Sequence, residues 1–233
     1  MSSLELAPGR GGPARRTPQA AESLAVALVL ALAIRSFFLQ PCWVPTGSMV
    51  PTLVPGDHCL VDRFTYNFRR PERGEILVFR TRGLATSDPR LPEVPQNRIY
   101  LKRLVGLPGE TVGLGAEGHA VIDGVPLDAR SPHFADVYRF DPGRVAQAGA
   151  YSGHLNAARA AAALKPDQPN PAPLFPNANA VLRLGRSELF VLGDNSVESL
   201  DGRAWGGLPR ENVLGKVAVV YWPLGWRALR QIR

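Results

Sequence analysis

The longest apolar stretch of the chain lies near its start. Leu24 to Ile34 carries no polar side chain, Arg35 and Ser36 interrupt, and Phe37-Phe38-Leu39 resumes the run. Twenty helical residues rise about 30 Å, the thickness of a bilayer's hydrocarbon core, so the pattern predicts a transmembrane helix over 20–40. Pro41 is expected to end the helix, and Trp43 falls where an interfacial aromatic would sit. Two rival readings exist. Basic residues ahead of the run and Ala31-Leu32-Ala33 fit a cleaved signal peptide, but Phe37, Phe38 and Leu39 extend the segment beyond a cleavage region. A buried core helix is the other.

Beyond residue 40 the pattern changes to short apolar runs punctuated by turns. Strands are expected at His58–Val61, Glu75–Phe79, Arg98–Val105, Glu110–Leu114, Ala120–Ile122, Glu188–Leu192 and Val213–Tyr221. Pro55-Gly56-Asp57, Arg73-Gly74, Leu107-Pro108-Gly109 and Asp123-Gly124 separate them, the last a hairpin signal before Val125. Residues 130–186 break this rhythm. An Ala-rich stretch, His154 to Leu164, and a Pro/Asn tract from Lys165 to Pro176 predict an insertion from a β core. Dinucleotide and P-loop glycine patterns are absent, as are internal repeats.

Composition supports a mostly β fold, since Gly and Pro make up about 19% of the 233 residues against roughly 12% in ordinary chains. The net charge of +7 is compatible with nucleic acid, an anionic membrane or mere solubility, so its sign alone decides nothing. Its distribution says more. Arg10, Arg15 and Arg16 lie in a Gly/Pro-rich tail over 1–19, expected to be disordered, and place the N-terminus in the cytoplasm by the positive-inside rule. Cys42 and Cys59 lack metal-site spacing and are taken as free thiols.

Three stretches carry candidate chemistry. In Pro45-Thr46-Gly47-Ser48-Met49-Val50-Pro51, Ser48 sits in a short loop between prolines, which can hold a serine rigid and accessible. A nucleophilic serine needs a base, and His58, His119, His133 and His154 have no telling context. The lysines offer one. Only Lys102, Lys165 and Lys216 occur beside 24 arginines, and Lys102 alternates onto the face of Tyr100 and Leu104, with Arg103 opposite. Unlike Arg, a lysine buried among apolar groups can be neutral near pH 7–8 and accept a serine proton. Lys165 precedes Pro in the insertion, and Lys216 is the competitor.

The third stretch, Gly193 to Arg203, is a polar loop after an apolar strand. There Asp201 and Arg203 could pair, and Ser199 could orient the Lys102 amine. Asp194, Asn195 and Asp201 also allow a metal-site reading.

Taken in order, PTGSMVPTLVPGD, YLKRLVGLPGE, FVLGDNSVESLDGRAWG and the closing GKVAVVYWP resemble the bacterial type I signal peptidases, membrane-anchored Ser/Lys endopeptidases that remove signal peptides. The resemblance implies an antiparallel-sheet catalytic domain over 41–233, behind one N-terminal transmembrane helix, on the outer face of the bacterial cell membrane. It implies Ser48 as nucleophile and Lys102 as general base, with the Ser48 N–H and the Thr46 hydroxyl holding the oxyanion. Ser199 would orient Lys102, while Asp194, Asn195, Asp201 and Arg203 would support the loop. No cofactor or metal is implied; the partners are preprotein signal peptides cut after small-x-small sites, the lipid bilayer and a secretion translocon, without nucleic acid. Thr46 stands where the family often has Ser, Gly202 where it usually has Ser, and Ser196-Val197-Glu198 where an Arg-Asp-Asn run is common. A self-cleaving SOS-type repressor would need a DNA-binding domain where this chain has its apolar segment. A tethered, non-catalytic binding module is the reading from another class.

Overall fold

A computed structural model describes residues 18–115, 119–138, 172–223 and 230–231. The expected tail before Pro18, the Ala-rich stretch His154–Leu164, Lys165 and Trp226 lie outside these. The chain divides into two compact units with the boundary between Ser36 and Phe37.

The helix α1 spans Pro18–Phe38, and Leu24, Leu28, Val29 and Leu30 are exposed along it. The side chains of 18–20, 31 and 33–38 lie outside the description, and among the described residues no helix is long and apolar enough to cross a membrane. Its end differs from the expectation. The helix stops at Phe38, and Leu39 begins a strand, β1 (Leu39–Trp43), with Pro41 inside it. As an edge strand paired only with its neighbour, β1 tolerates a residue that lacks an N–H.

The second unit is built of antiparallel strands. They are β2 (His58–Asp62), β3 (Ile76–Arg80), β4 (Ile99–Gly106), β5 (Thr111–Leu114), β6 (Ala120–Ile122), β7 (Val125–Pro126), β8 (Val181–Arg183), β9 (Glu188–Leu192), β10 (Leu208–Pro209), β11 (Val213–Trp222) and β12 (Arg230–Gln231). Among the described residues β1-β2-β11-β3-β4-β9-β10 form the larger sheet, with β12 on β11, and β7-β6-β5-β8 form the smaller. Among the described residues two one-turn α-helices complete the unit, α2 (Ala135–Tyr138) and α3 (Gly202–Trp205). The hairpin signal holds: Asp123 and Gly124 have φ of 48° and 81° between β6 and β7, as a type I′ turn needs.

The larger sheet is covered on both faces, which explains why β3 reads as an unbroken apolar run. Ile76 and Val78 join a cluster with Val44, Met49 and Leu53, while Leu77 and Phe79 join one with Leu104, Val191 and Trp205. A third cluster links Phe190 and Leu192 of β9 to the smaller sheet. The described ends of the 130–186 stretch belong to that third core. Phe134, Val137, Ala172, Phe175 and Leu184 are buried in it, and β8 pairs with β5. Neither end is a surface excursion; the short Val-Leu-Arg run becomes a strand because β5 offers it an edge.

Candidate active site

Ser48 lies in the middle of a single 3-10 turn, Gly47–Met49, between β1 and β2. Apolar anchors hold this turn down, since Val44, Met49, Val50 and Leu53 are all buried. The chain then returns through Gly56 N–H to Val44 O at 2.9 Å, so the loop is a closed unit and not a free tip.

Lys102 enters from the middle of β4. Its register partner is Leu77 of β3, which puts it on the face shared with Tyr100 and Leu104, as the alternation predicts. The side chain is 4% exposed, and Nζ lies 2.7 Å from Ser48 Oγ. Burial pushes the amine down to about 8; Arg203 pushes the same way, against the nearby Asp201 and Asp194 charges. A charged ammonium donates along this contact, whereas the neutral amine accepts the serine proton along the same line. Thr46 Oγ1 stands 3.4 Å from Ser48 Oγ on an exposed residue with extended backbone. The described histidines, His58, His119 and His133, make no hydrogen bond to Ser48. The competing lysine, Lys216, donates to Glu75 Oε1 at 2.7 Å and takes no part.

The polar loop after β9 folds over both residues. Gly193 is needed there for space, because a Cβ on it would overlap Ser199 Oγ and come within 2.6 Å of Ser48 O. Asn195 fastens the loop to the serine turn, its N–H donating to Ser48 O at 3.0 Å and its Nδ2 to Gly47 O at 3.2 Å. Asp201 caps α3 by accepting from Arg203 N, and it also accepts from Gly193 N–H at 2.9 Å and Ser199 Oγ at 2.6 Å. Burial opposes the Asp201 charge, but the Arg203 guanidinium and these hydrogen bonds outweigh it and hold the carboxyl below its ordinary value. Arg203 is 1% exposed and also reaches the Ser196 and Ser199 carbonyls.

One expected contact is replaced by another. Ser199 was to orient the amine, yet its hydroxyl donates to Asp201 while Nζ contacts Ser48 Oγ. A buried carboxylate is the stronger acceptor, so the hydroxyl goes there. The metal-site reading of Asp194, Asn195 and Asp201 meets a different arrangement. Asp194 binds Arg103 through two bonds of 2.7 and 2.6 Å, and Asp201 binds Arg203, so each carboxylate faces its own guanidinium.

Arg103 and Thr52 are the parts of the site that the sequence reading passed over. Arg103 is 1% exposed and reaches Asp194, Thr52 Oγ1, Gly74 O and His133 O, while Thr52 Oγ1 donates to Asp194 at 2.5 Å. This network ties the serine turn, the lysine strand and the polar loop together. The available signal was position: a residue opposite Lys102 on a strand flanked by Leu104-Val105 has no solvent to face.

A cavity of about 440 Å³ opens on the pair, lined by Thr46, Ser48 and Lys102 and by apolar Val61, Ile99 and Leu101. An amine whose proton burial loosens to about 8, 2.7 Å from a serine hydroxyl in a partly apolar cavity, is a pair that can carry out acyl transfer.

Known proteins share this sequence pattern. The chain is 31% identical over 204 residues to signal peptidase I of Leptolyngbya laminosa, covering 87% of this chain and 78% of that one. It is 29% identical over 220 residues to signal peptidase I of Pseudomonas fluorescens, with 84% and 70% covered. A crystal structure of a signal peptidase I from Enterococcus faecalis aligns with a TM-score of 0.35 at 23% identity, covering 64% of this chain and 97% of that chain. The profile of the family described as "Signal peptidase, peptidase S26" matches residues 18–222, a span that takes in the serine turn, the lysine strand and the polar loop, and the chain therefore belongs to that family.

Proposed function

We propose that this protein is a serine endopeptidase that removes signal peptides from exported preproteins after small-x-small sites, with Ser48 as nucleophile and Lys102 as general base. The observation that carries the reading is the 2.7 Å contact between Lys102 Nζ and Ser48 Oγ inside a buried site. Neutral Lys102 takes the Ser48 proton as Oγ attacks the scissile carbonyl. The tetrahedral oxyanion is held by the Ser48 N–H and the Thr46 hydroxyl. Collapse expels the mature chain's amine, which takes its proton from the Lys102 ammonium. Water activated by the same amine then cleaves the acyl-enzyme, releasing the signal peptide and restoring Ser48. Asp201 and Arg203 brace the loop that carries Ser199, while Asp194 and Asn195 fix it to the serine turn.

The apolar segment over 20–40 is proposed as a single membrane anchor with the N-terminus cytoplasmic and the catalytic domain outside. Its support is the apolar run Leu24–Ile34 with three arginines ahead of it. Trp43 and Trp222, 59% and 50% exposed, flank His58 in register on neighbouring strands and supply an aromatic patch suited to a bilayer interface. Preproteins delivered by a secretion translocon are the substrates in that setting. The test is cleavage of a purified preprotein by the full chain in detergent, with Ser48→Ala and Lys102→Met beside wild type. Each variant is expected to lose at least about 10³-fold in rate; retained cleavage by either removes the dyad from the mechanism.

A further inference from the structure

The wall of the cavity beside Ser48 carries a charge that the mechanism does not use. Glu198 ends a 3-10 turn, Ser196–Glu198, that lies against the serine turn through the two Asn195 bonds to Ser48 O and Gly47 O. Its carboxylate is so close to the serine turn that a Cβ on Gly47 would overlap Glu198 Oε2. It is exposed and lines the same cavity as Thr46, Ser48 and Lys102. Every other acid near the dyad is matched: Asp194 faces Arg103, and Asp201 faces Arg203. Among the described residues no cation pairs with Glu198. The rest of the wall is apolar or neutral apart from Lys102, which is buried beneath the serine.

From this juxtaposition we infer that Glu198 is a specificity-determining residue, which favours preproteins carrying a lysine or arginine at the middle of the small-x-small site or at either of the two residues after the scissile bond, and disfavours those with an acid there. The inference rests on the signal-peptide cleavage proposed above. A chain whose carbonyl lies on Ser48 Oγ must run past Gly47, so its neighbouring side chains pass the Glu198 carboxylate. A carboxylate without a partner at such a point attracts a cation and repels an anion, and discrimination comes from both effects. The carboxylate is open to water, so the discrimination is modest and weakens as salt is raised.

The experiment is a series of fluorogenic peptides with one small-x-small site, bearing Lys, Gln or Glu in turn at the middle residue of that site and at each of the two residues after the cleaved bond. The enzyme is the full chain in detergent, as wild type, Glu198→Gln and Glu198→Lys. At one or more positions wild type is expected to show kcat/KM about threefold higher for Lys than for Gln and about tenfold higher than for Glu. Glu198→Gln should bring these ratios close to one, and Glu198→Lys should invert them. Charge ratios that survive in Glu198→Gln overturn the inference, as does the same change of rate on every peptide, which would mark an effect on the oxyanion instead. Failure of wild type to cleave even the Gln peptides would instead overturn the cleavage reading itself.

Discussion

Replacing Lys102 with Met keeps the length and apolar stem of the side chain and removes its titration. A lysine ordinarily ionises at 10.5, and here burial brings it down to about 8. The folded state therefore disfavours the ammonium, and below about pH 8 that penalty is fully present. At about 1.36 kcal/mol per decade the difference amounts to roughly 3 kcal/mol. Between about pH 8 and pH 10.5 the unfolded chain holds a proton that the folded protein has released, so stability rises with pH across this window. From about pH 7 to about pH 9.5 the gain attributable to Lys102 is about 2 kcal/mol. Guanidinium unfolding of the full chain in detergent, at both pH values, for wild type and Lys102→Met, isolates it as a double difference. Activity gives the second reading. Log kcat/KM should climb with a slope of about one and level off near pH 8 as the amine becomes neutral. A stability difference between wild type and Lys102→Met that does not change with pH would refute the neutral-lysine argument. So would an acid limb with its midpoint near the histidine range, around pH 6.5.

Three further outcomes follow from the site. Thr46→Val should lower kcat by about 10²–10³ with little change in KM, whereas Thr46→Ser keeps the donor and most of the rate, as steady-state kinetics would show. Arg103→Met leaves Asp194 buried without its guanidinium and should cost about 3–5 kcal/mol by chemical denaturation, much of which the double variant with Asp194→Leu should restore. Gly193→Ala makes its new Cβ clash with Ser48 O and the Ser199 hydroxyl and forces the polar loop to shift, costing about 1–3 kcal/mol in stability and at least tenfold in kcat/KM, because the displaced loop is the one that fixes the serine turn.

The legible parts of the fold are those whose signal is local. β6 and β9 run where the sequence reading puts them, and β2, β3, β4, β5 and β11 agree to within a residue at each end, because each is an apolar run bounded by Gly or Pro turns. The strands that escaped notice owe their existence to partners. β1 contains Pro41 and follows directly on a helix, so nothing in Leu-Gln-Pro-Cys-Trp marks a strand until β2 lies beside it. β8 and β10 have three and two residues, too few for any periodicity.

The same division runs through the site. Lys102 could be picked out because lysine is rare here and its face is set by a period of two. Ser199 could not be given its partner, because Asp201 and the Lys102 amine both lie within reach of that loop and only coordinates decide between them. Arg103 was hidden by a rule that usually works, which sends a charged residue opposite an inward one to the surface. Here Phe134, from the third core, lies on that face, with the guanidinium 5.7 Å from its ring centre.

Of the two buried arginines, Arg203 bears on the proton of Lys102, lowering the amine's affinity for it. Asp201 and Asp194 each raise the affinity of the amine for its proton, against burial and Arg203, which lower it. Both are needed for other purposes, since Asp201 caps α3 and gathers Gly193 and Ser199, and Asp194 anchors Thr52. The Arg203 guanidinium on Asp201 opposes these charges at the amine and holds the Asp201 carboxyl below its ordinary value, while Arg103 pairs with Asp194. Only a group that stays charged when buried can do this, and arginine does so where lysine would not. The preference for arginine across the chain and the one buried lysine among the described residues are thus complementary. In the proposed mechanism, the permanent cations set the electrostatic background in which one removable proton can serve as the working part.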